Sequence, residues 1–301
     1  VRSYHGQPVL KEPIWTWEIP TYFFTGGLGG ASASFAQLAR IRGNEVLARR
    51  AWANAAAAAA VSPALLISDL GRPARFLNML RMFKVTSPMS VGSWILSCSG
   101  AANSFAALNA WTGTFPRAGR IARAAGAVLG LPMSTYTAAL VANTAVPAWH
   151  EAHRQLPFLF ASSAALSAAA AAVITTPPEH AAAARRLALG SAVCETGVHL
   201  AMERTLGEHS RAYREGLAGK LLWVRRGLML AGTVLLARRG TSSRPAASAA
   251  GAALLVGSAL TRWQVFKAGT QSAADPAAVI GPQRAGIERG ERRGGARAVL
   301  R

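Results

Sequence analysis

The chain has 301 residues, a formal net charge of +20 and a pI near 11.7, yet only 15% of its residues are charged. A nucleic-acid binder of that pI carries dense Lys and Arg. Here the bases lie between long Ala-, Gly-, Leu- and Val-rich runs, which excludes a nucleic-acid role and fits a polytopic membrane protein with basic loops. The mean hydropathy of +0.23 is modest because the runs are built on Ala, Gly and Ser and the tail is basic.

In chain order, residues 1–18 read as an extramembrane segment without the basic-then-apolar pattern of a secretory leader. Eight candidate spans follow, at 19–40, 51–70, 88–111, 121–146, 156–176, 182–205, 219–237 and 245–266, each about the 20 residues a membrane helix needs. The predicted fold is an all-α polytopic membrane bundle of about eight transmembrane helices over 19–267. Trp263 and Lys267 anchor its last span, and 268–301 form a basic tail. Both termini then share one side. The short loops are basic on both sides, so only the tail favours cytoplasmic termini.

Two spans carry small residues at helix-packing spacing. Gly26, Gly30 and Ser34 recur every four residues, and Ser90, Ser93, Ser97, Gly100 and Ser104 form one stripe. Such stripes let helices approach closely; the other reading is room for the flat ring of a ligand.

Ionisable residues inside spans are costly and mark functional candidates. The second span ends on Asp69, with Gly71, Arg72, Pro73 and Arg75 at once behind it. Gly71 and Pro73 stop the helix, and the stretch 75–84 reads as a short amphipathic helix in the interface. Asp69 is either a proton-accessible acid beside a basic docking surface (Arg72, Arg75, Arg81) or half of an Asp–Arg staple closing the loop. In the fourth span Tyr136 needs a hydroxyl partner, either a neighbouring helix or a bound carbonyl ligand such as a quinone. In the sixth, Glu195, His199 and Glu203 at i, i+4 and i+8 line one helix face over about 12 Å, as a ladder of protonatable groups would. The other reading makes Glu203 an interfacial partner of Arg204.

Two cysteines, Cys98 and Cys194, lie in apolar runs, too few for an iron–sulfur cluster in this chain. Of six histidines only His199 lies well inside a span, so no bis-histidine haem is expected, and no metal site is read. If the chain handles electrons, the redox centres belong to other subunits.

Three stretches carry a family resemblance. They are WEIPTYFFTGG at 17–27, LLISDLGRPARFLNMLRMFKVTSPMSVGSW at 65–94, and YTAALVANTAVPAW at 136–149 with the LPFLFASSA that soon follows. On these the chain resembles the NrfD/polysulfide-reductase-type integral membrane subunits, over residues 15–265. The resemblance implies a cofactor-free helical bundle in the inner or plasma membrane. It implies docking to an iron–sulfur subunit that pairs with a catalytic, often molybdopterin, subunit, and electron exchange with the quinone pool (menaquinone or ubiquinone). In some relatives that exchange is coupled to proton movement.

Position by position, Asp69 matches the family's membrane acid and Tyr136 the tyrosine beside the quinone. Tyr22, Gly26 and Gly27 match the first-span motif near the same pocket. Glu195 falls where later spans often hold an acid, and a first-span histidine that some relatives use has no counterpart. The expected function is a quinone-interacting membrane anchor subunit, with Asp69, Glu195, His199 and Glu203 as proton-transfer groups. The alternatives are a proton-coupled solute transporter and a passive anchor without a quinone site.

Overall fold

A computed structural model of the chain describes residues 10, 11, 13–72, 74–276 and 278. The described residues are mostly helical, with eight long helices. These are α1 (Glu18–Ile41), α2 (Glu45–Asp69), α4 (Pro88–Thr112), α5 (Pro116–Ala142), α7 (Leu156–Thr175), α8 (Ala182–Thr205), α10 (Gly216–Arg239) and α11 (Arg244–Ala274). Three short helices, α3 (Ala74–Met79), α6 (Pro147–Glu151) and α9 (Arg211–Arg214), sit in the connections. The shortest long helix has 20 residues and so reaches about 30 Å, the thickness of a bilayer core. Every predicted span has its helix.

Local chemistry sets the boundaries. The Asn44 side chain caps α2 by accepting from the Leu47 amide, and Gly43 turns the chain with φ 77° just before it. Ser87 caps α4 and Gly113, at φ 70°, ends it. Gly71, at φ 67°, closes α2 where expected. Some boundaries differ from the expectation. α5 stops at Ala142, ahead of Pro147, leaving Asn143 as its exposed cap. α3 is one and a half turns long and ends at Met79, so Arg81 and Lys84 lie in a loop. α11 continues past Lys267 to Ala274, with Ala268, Gly269, Ser272 and Ala273 buried; residues 279–301 of the tail lie outside the described residues.

The helices pack as two four-helix groups. One holds α1, α2, α4 and α5; the other holds α7, α8, α10 and α11. They meet where α1 lies on α7 and α11, and α5 on α7. The α1–α5 seam is tight because of glycine. A Cβ on Gly30 would stand 2.5 Å from the Gly130 carbonyl oxygen, and one on Gly130 would stand 2.2 Å from that of Gly30. Ser34 then donates across the seam to the Ala127 carbonyl at 2.7 Å. The first-span stripe is thus a helix interface. The α4 stripe is turned from its expected position: Gly92, Ser93, Leu96, Ser99 and Asn103 face inward, and Ser104 is exposed.

The bundle exposes large apolar side chains and buries several charged ones among its apolar core. Ile121, Val128, Leu131, Phe158, Val193 and Leu230 are exposed, whereas Glu195, Arg225, Arg262 and Gln264 are buried. In water that arrangement is unfavourable; in lipid it is the expected one. On length and composition alone, α2, α5 and α7 are apolar enough to cross a membrane. The remaining long helices owe their lower hydropathy to small residues and to charges turned inward, as in α8, α10 and α11.

Candidate functional site

The first four-helix group opens a narrow cleft of about 60 Å³ at the face where α2 ends. Ile19, Phe23, Leu66, Met79, Met89 and Leu140 make its walls largely apolar. Tyr22, Asp69 and Tyr136 also line it, from α1, α2 and α5. Three residues singled out from three separate stretches of sequence therefore share one cavity.

Each of the three is held by its helix. Tyr22 is 2% exposed, and its hydroxyl has no hydrogen-bond partner among the described residues. A buried, unpaired hydroxyl costs about 1–3 kcal/mol. Tyr136 is half-buried and its ring rests on α4 at Gly92, where a Cβ would come 2.3 Å from the ring. Asp69, half-buried in the last turn of α2, accepts from the Thr16 hydroxyl at 3.3 Å, and that same hydroxyl also reaches Glu18.

The expected pairing of Asp69 with Arg72 and Arg75 is not what the structure shows. Arg72, Arg75 and Arg81 are all exposed, and among the described residues none of them forms an ion pair. Thr16 takes the partner's place. Gly26 and Gly27 do not line this cleft either. Gly26 packs beneath Met133, and its Cβ would meet the Met133 Cε at 2.8 Å. Gly27 gives room to a buried arginine, with Arg262 Nη2 lying 3.0 Å from where its Cβ would be.

That arginine belongs to a second polar feature, in the other four-helix group. Glu195 (0% exposed), His199 (1%) and Glu203 (6%) run down the buried face of α8 as their spacing predicts. Glu195 Oε1 accepts from Thr261 and lies 3.5 Å from Arg225 Nη1. His199 Nδ1 lies 3.4 Å from Glu203 Oε1. Glu203 is closed by Arg226 at 3.0 Å and Arg214 at 3.1 Å, not by Arg204, which is exposed. Arg262 donates to the Phe160 carbonyl at 2.7 Å, and its guanidinium lies 3.8 Å over the Phe160 ring. Among the described residues several atoms of this network make no hydrogen bond: Glu195 Oε2, Arg225 Nε, and Arg262 Nε and Nη1, while His199 Nδ1 has only its longer contact with Glu203. Phe160 packs on Phe23, which packs on Tyr22, so an aromatic wall separates the network from the cleft.

Arg225, Arg226, Arg262 and Thr261 are the residues that sequence reading missed. The signal for α10 was present, since two adjacent arginines in the middle of a span carry the same cost as the acids. Arg262 was hidden because 245–266 looked complete at Trp263 and Lys267. With α11 running to Ala274, Arg262 lies about 18 Å from its end.

An apolar exterior, a buried ionic interior and helices of bilayer length define a membrane-embedded all-α protein. Its narrow cleft at one face is walled by all four long helices of the first group, with Met79 of α3 at its edge. Residues 3–274 match the polysulfide reductase family, NrfD_2, and the chain belongs to that family of membrane subunits of oxidoreductase complexes. No curated protein matches the chain.

Proposed function

We propose that this chain is the quinone-reactive membrane subunit of a multi-subunit oxidoreductase. On this reading it passes electrons between a partner iron–sulfur subunit and the quinone pool of the cell membrane. The observation that carries the proposal is the convergence of Tyr22, Tyr136 and Asp69 on one apolar cleft, with the Tyr22 hydroxyl unpaired. A quinone ring needs apolar walls, donors for its carbonyl oxygens and a route for protons. The cleft provides donors in Tyr22 and Tyr136 and a carboxyl in Asp69. Menaquinone or ubiquinone, when bound, supplies the two-electron chemistry. The chain's own residues orient the carbonyls, exclude water and hold a proton at the Asp69 carboxyl.

Electrons come from outside the chain, so the partner belongs near the cleft. The loop after α2 offers Arg72, Arg75 and Arg81 beside exposed Met82, Phe83 and Val85 on that face. A cluster-bearing subunit docked there puts its redox centre close to the ring. That subunit in turn pairs with a catalytic subunit of the molybdopterin type. The Glu195–His199–Glu203 line, with its unpartnered atoms, supports proton transfer through the second four-helix group.

The test is purification from native membranes in mild detergent, mass spectrometry of the proteins that accompany the chain, and a quinone-linked electron-transfer assay. An iron–sulfur partner, with turnover lowered about tenfold in Tyr22→Phe and in Tyr136→Phe, is the expected result. A partner with turnover unaffected in both tyrosine variants reduces the chain to a passive anchor. No partner at all, together with solute-driven proton uptake, makes it a transporter.

A further inference from the structure

The opposite end of the first four-helix group holds a second and larger cavity, of about 400 Å³. It lies where α1 and α4 end and α2 and α5 begin, so it sits at the other membrane boundary from the cleft. Arg40, Glu45, Arg49, Trp52, Asn109 and Arg123 are among its lining residues. Three guanidiniums thus face one carboxylate, and that carboxylate is already engaged by Arg40 at 3.2 Å.

Two donors in the wall have no partner among the described residues. Arg123 is 6% exposed and its Nε is unpaired, while Trp52 is fully buried with an unpaired Nε1. The arrangement is built in. Arg123 Nη1 donates to Asn109 Oδ1, which fixes the guanidinium. Gly119 lets Asn109 in, since a Cβ there would overlap the amide at 2.1 Å, and at Gly126 a Cβ would press on Trp52 at 3.3 Å. Buried donors without acceptors, among surplus arginines, are what a bound anion satisfies. Arginine forks match the oxygens of a phosphate.

We propose that this cavity binds the phosphate group of an anionic ligand, either a membrane-lipid headgroup or a soluble phosphate. The inference is independent of the quinone reading, since it uses none of the cleft residues. The test uses the full chain, purified and delipidated in non-ionic detergent. Its thermal midpoint is followed against phosphatidylglycerol micelles, phosphatidylcholine micelles and inorganic phosphate at constant ionic strength. Native mass spectrometry reads what stays bound.

Stabilisation and retention with phosphatidylglycerol alone identify a lipid headgroup, and stabilisation with inorganic phosphate identifies a soluble ligand. Either must weaken about tenfold in Arg49→Gln, which removes one exposed charged donor and leaves the fold in place. Arg238→Gln, an exposed arginine on α10 outside the cavity, must change nothing. Absence of stabilisation by all three, or an equal response in the two variants, overturns the proposal.

Discussion

The Tyr22 hydroxyl carries a cost in the bundle that nothing in the bundle repays, because it is buried and unpaired. Removing it should therefore help folding and harm function. Tyr22→Phe is expected to raise stability in detergent by about 1 kcal/mol while lowering quinone turnover about tenfold, read by thermal unfolding and by the electron-transfer assay. A loss of both would mean that the hydroxyl has a structural partner. Glu195 stands the other way. It sits among Arg225, Thr261 and Arg262 with no exposure, so Glu195→Ala leaves buried cations uncompensated. It should cost on the order of 3–5 kcal/mol, and adding Arg225→Met should recover much of that. A double-mutant cycle by denaturant unfolding measures the difference.

At the level of the helices, glycine decides which pairs can meet. Gly30 and Gly130 bring α1 and α5 into backbone contact, and Gly92 makes the seat for the Tyr136 ring. Gly30→Val should destabilise by about 3 kcal/mol through overpacking of the seam. Gly190→Ala on α8, with open space around it, should be neutral when the same unfolding curves are compared. Gly92→Ala should preserve the fold but displace Tyr136, giving a raised KM for quinone.

These elements were readable in part. Eight apolar runs predicted eight long helices, because bilayer thickness fixes span length whatever the tertiary contacts. The i, i+4 line on α8 was readable because helical periodicity puts those residues on one face. The partners of that line were not, since nothing local says that α10 and α11 turn their arginines toward α8. Spacing left two readings of Asp69 open, one of them a staple with Arg72 or Arg75. Among the described residues Asp69 instead meets Thr16, from the segment before α1, a tertiary contact that proximity in sequence does not reveal. The rotation of the α4 stripe has another origin: many of its residues are small, so spacing alone defines no single face.

Across the whole molecule, two four-helix groups divide the features. One holds the cleft at one face and the arginine-lined cavity at the other; its neighbour holds the ionic network. If the partner docks on the basic loop beside the cleft, as proposed, charge attraction contributes to docking. Replacing Arg72, Arg75 and Arg81 together by Ser should release the iron–sulfur partner at lower salt than wild type, read by co-purification across a salt series, with the fold unchanged.

On the proposed function, quinone reacts in the cleft of Tyr22, Tyr136 and Asp69. The most direct measurement is quinone-linked electron transfer in the purified complex carrying Tyr22→Phe and Tyr136→Phe together, beside electron delivery to an artificial acceptor that bypasses the membrane subunit. The expected result is an assembled complex with the bypass activity intact and quinone turnover reduced about a hundredfold, one factor of ten for each lost hydrogen bond. Wild-type quinone turnover in that double variant would contradict it.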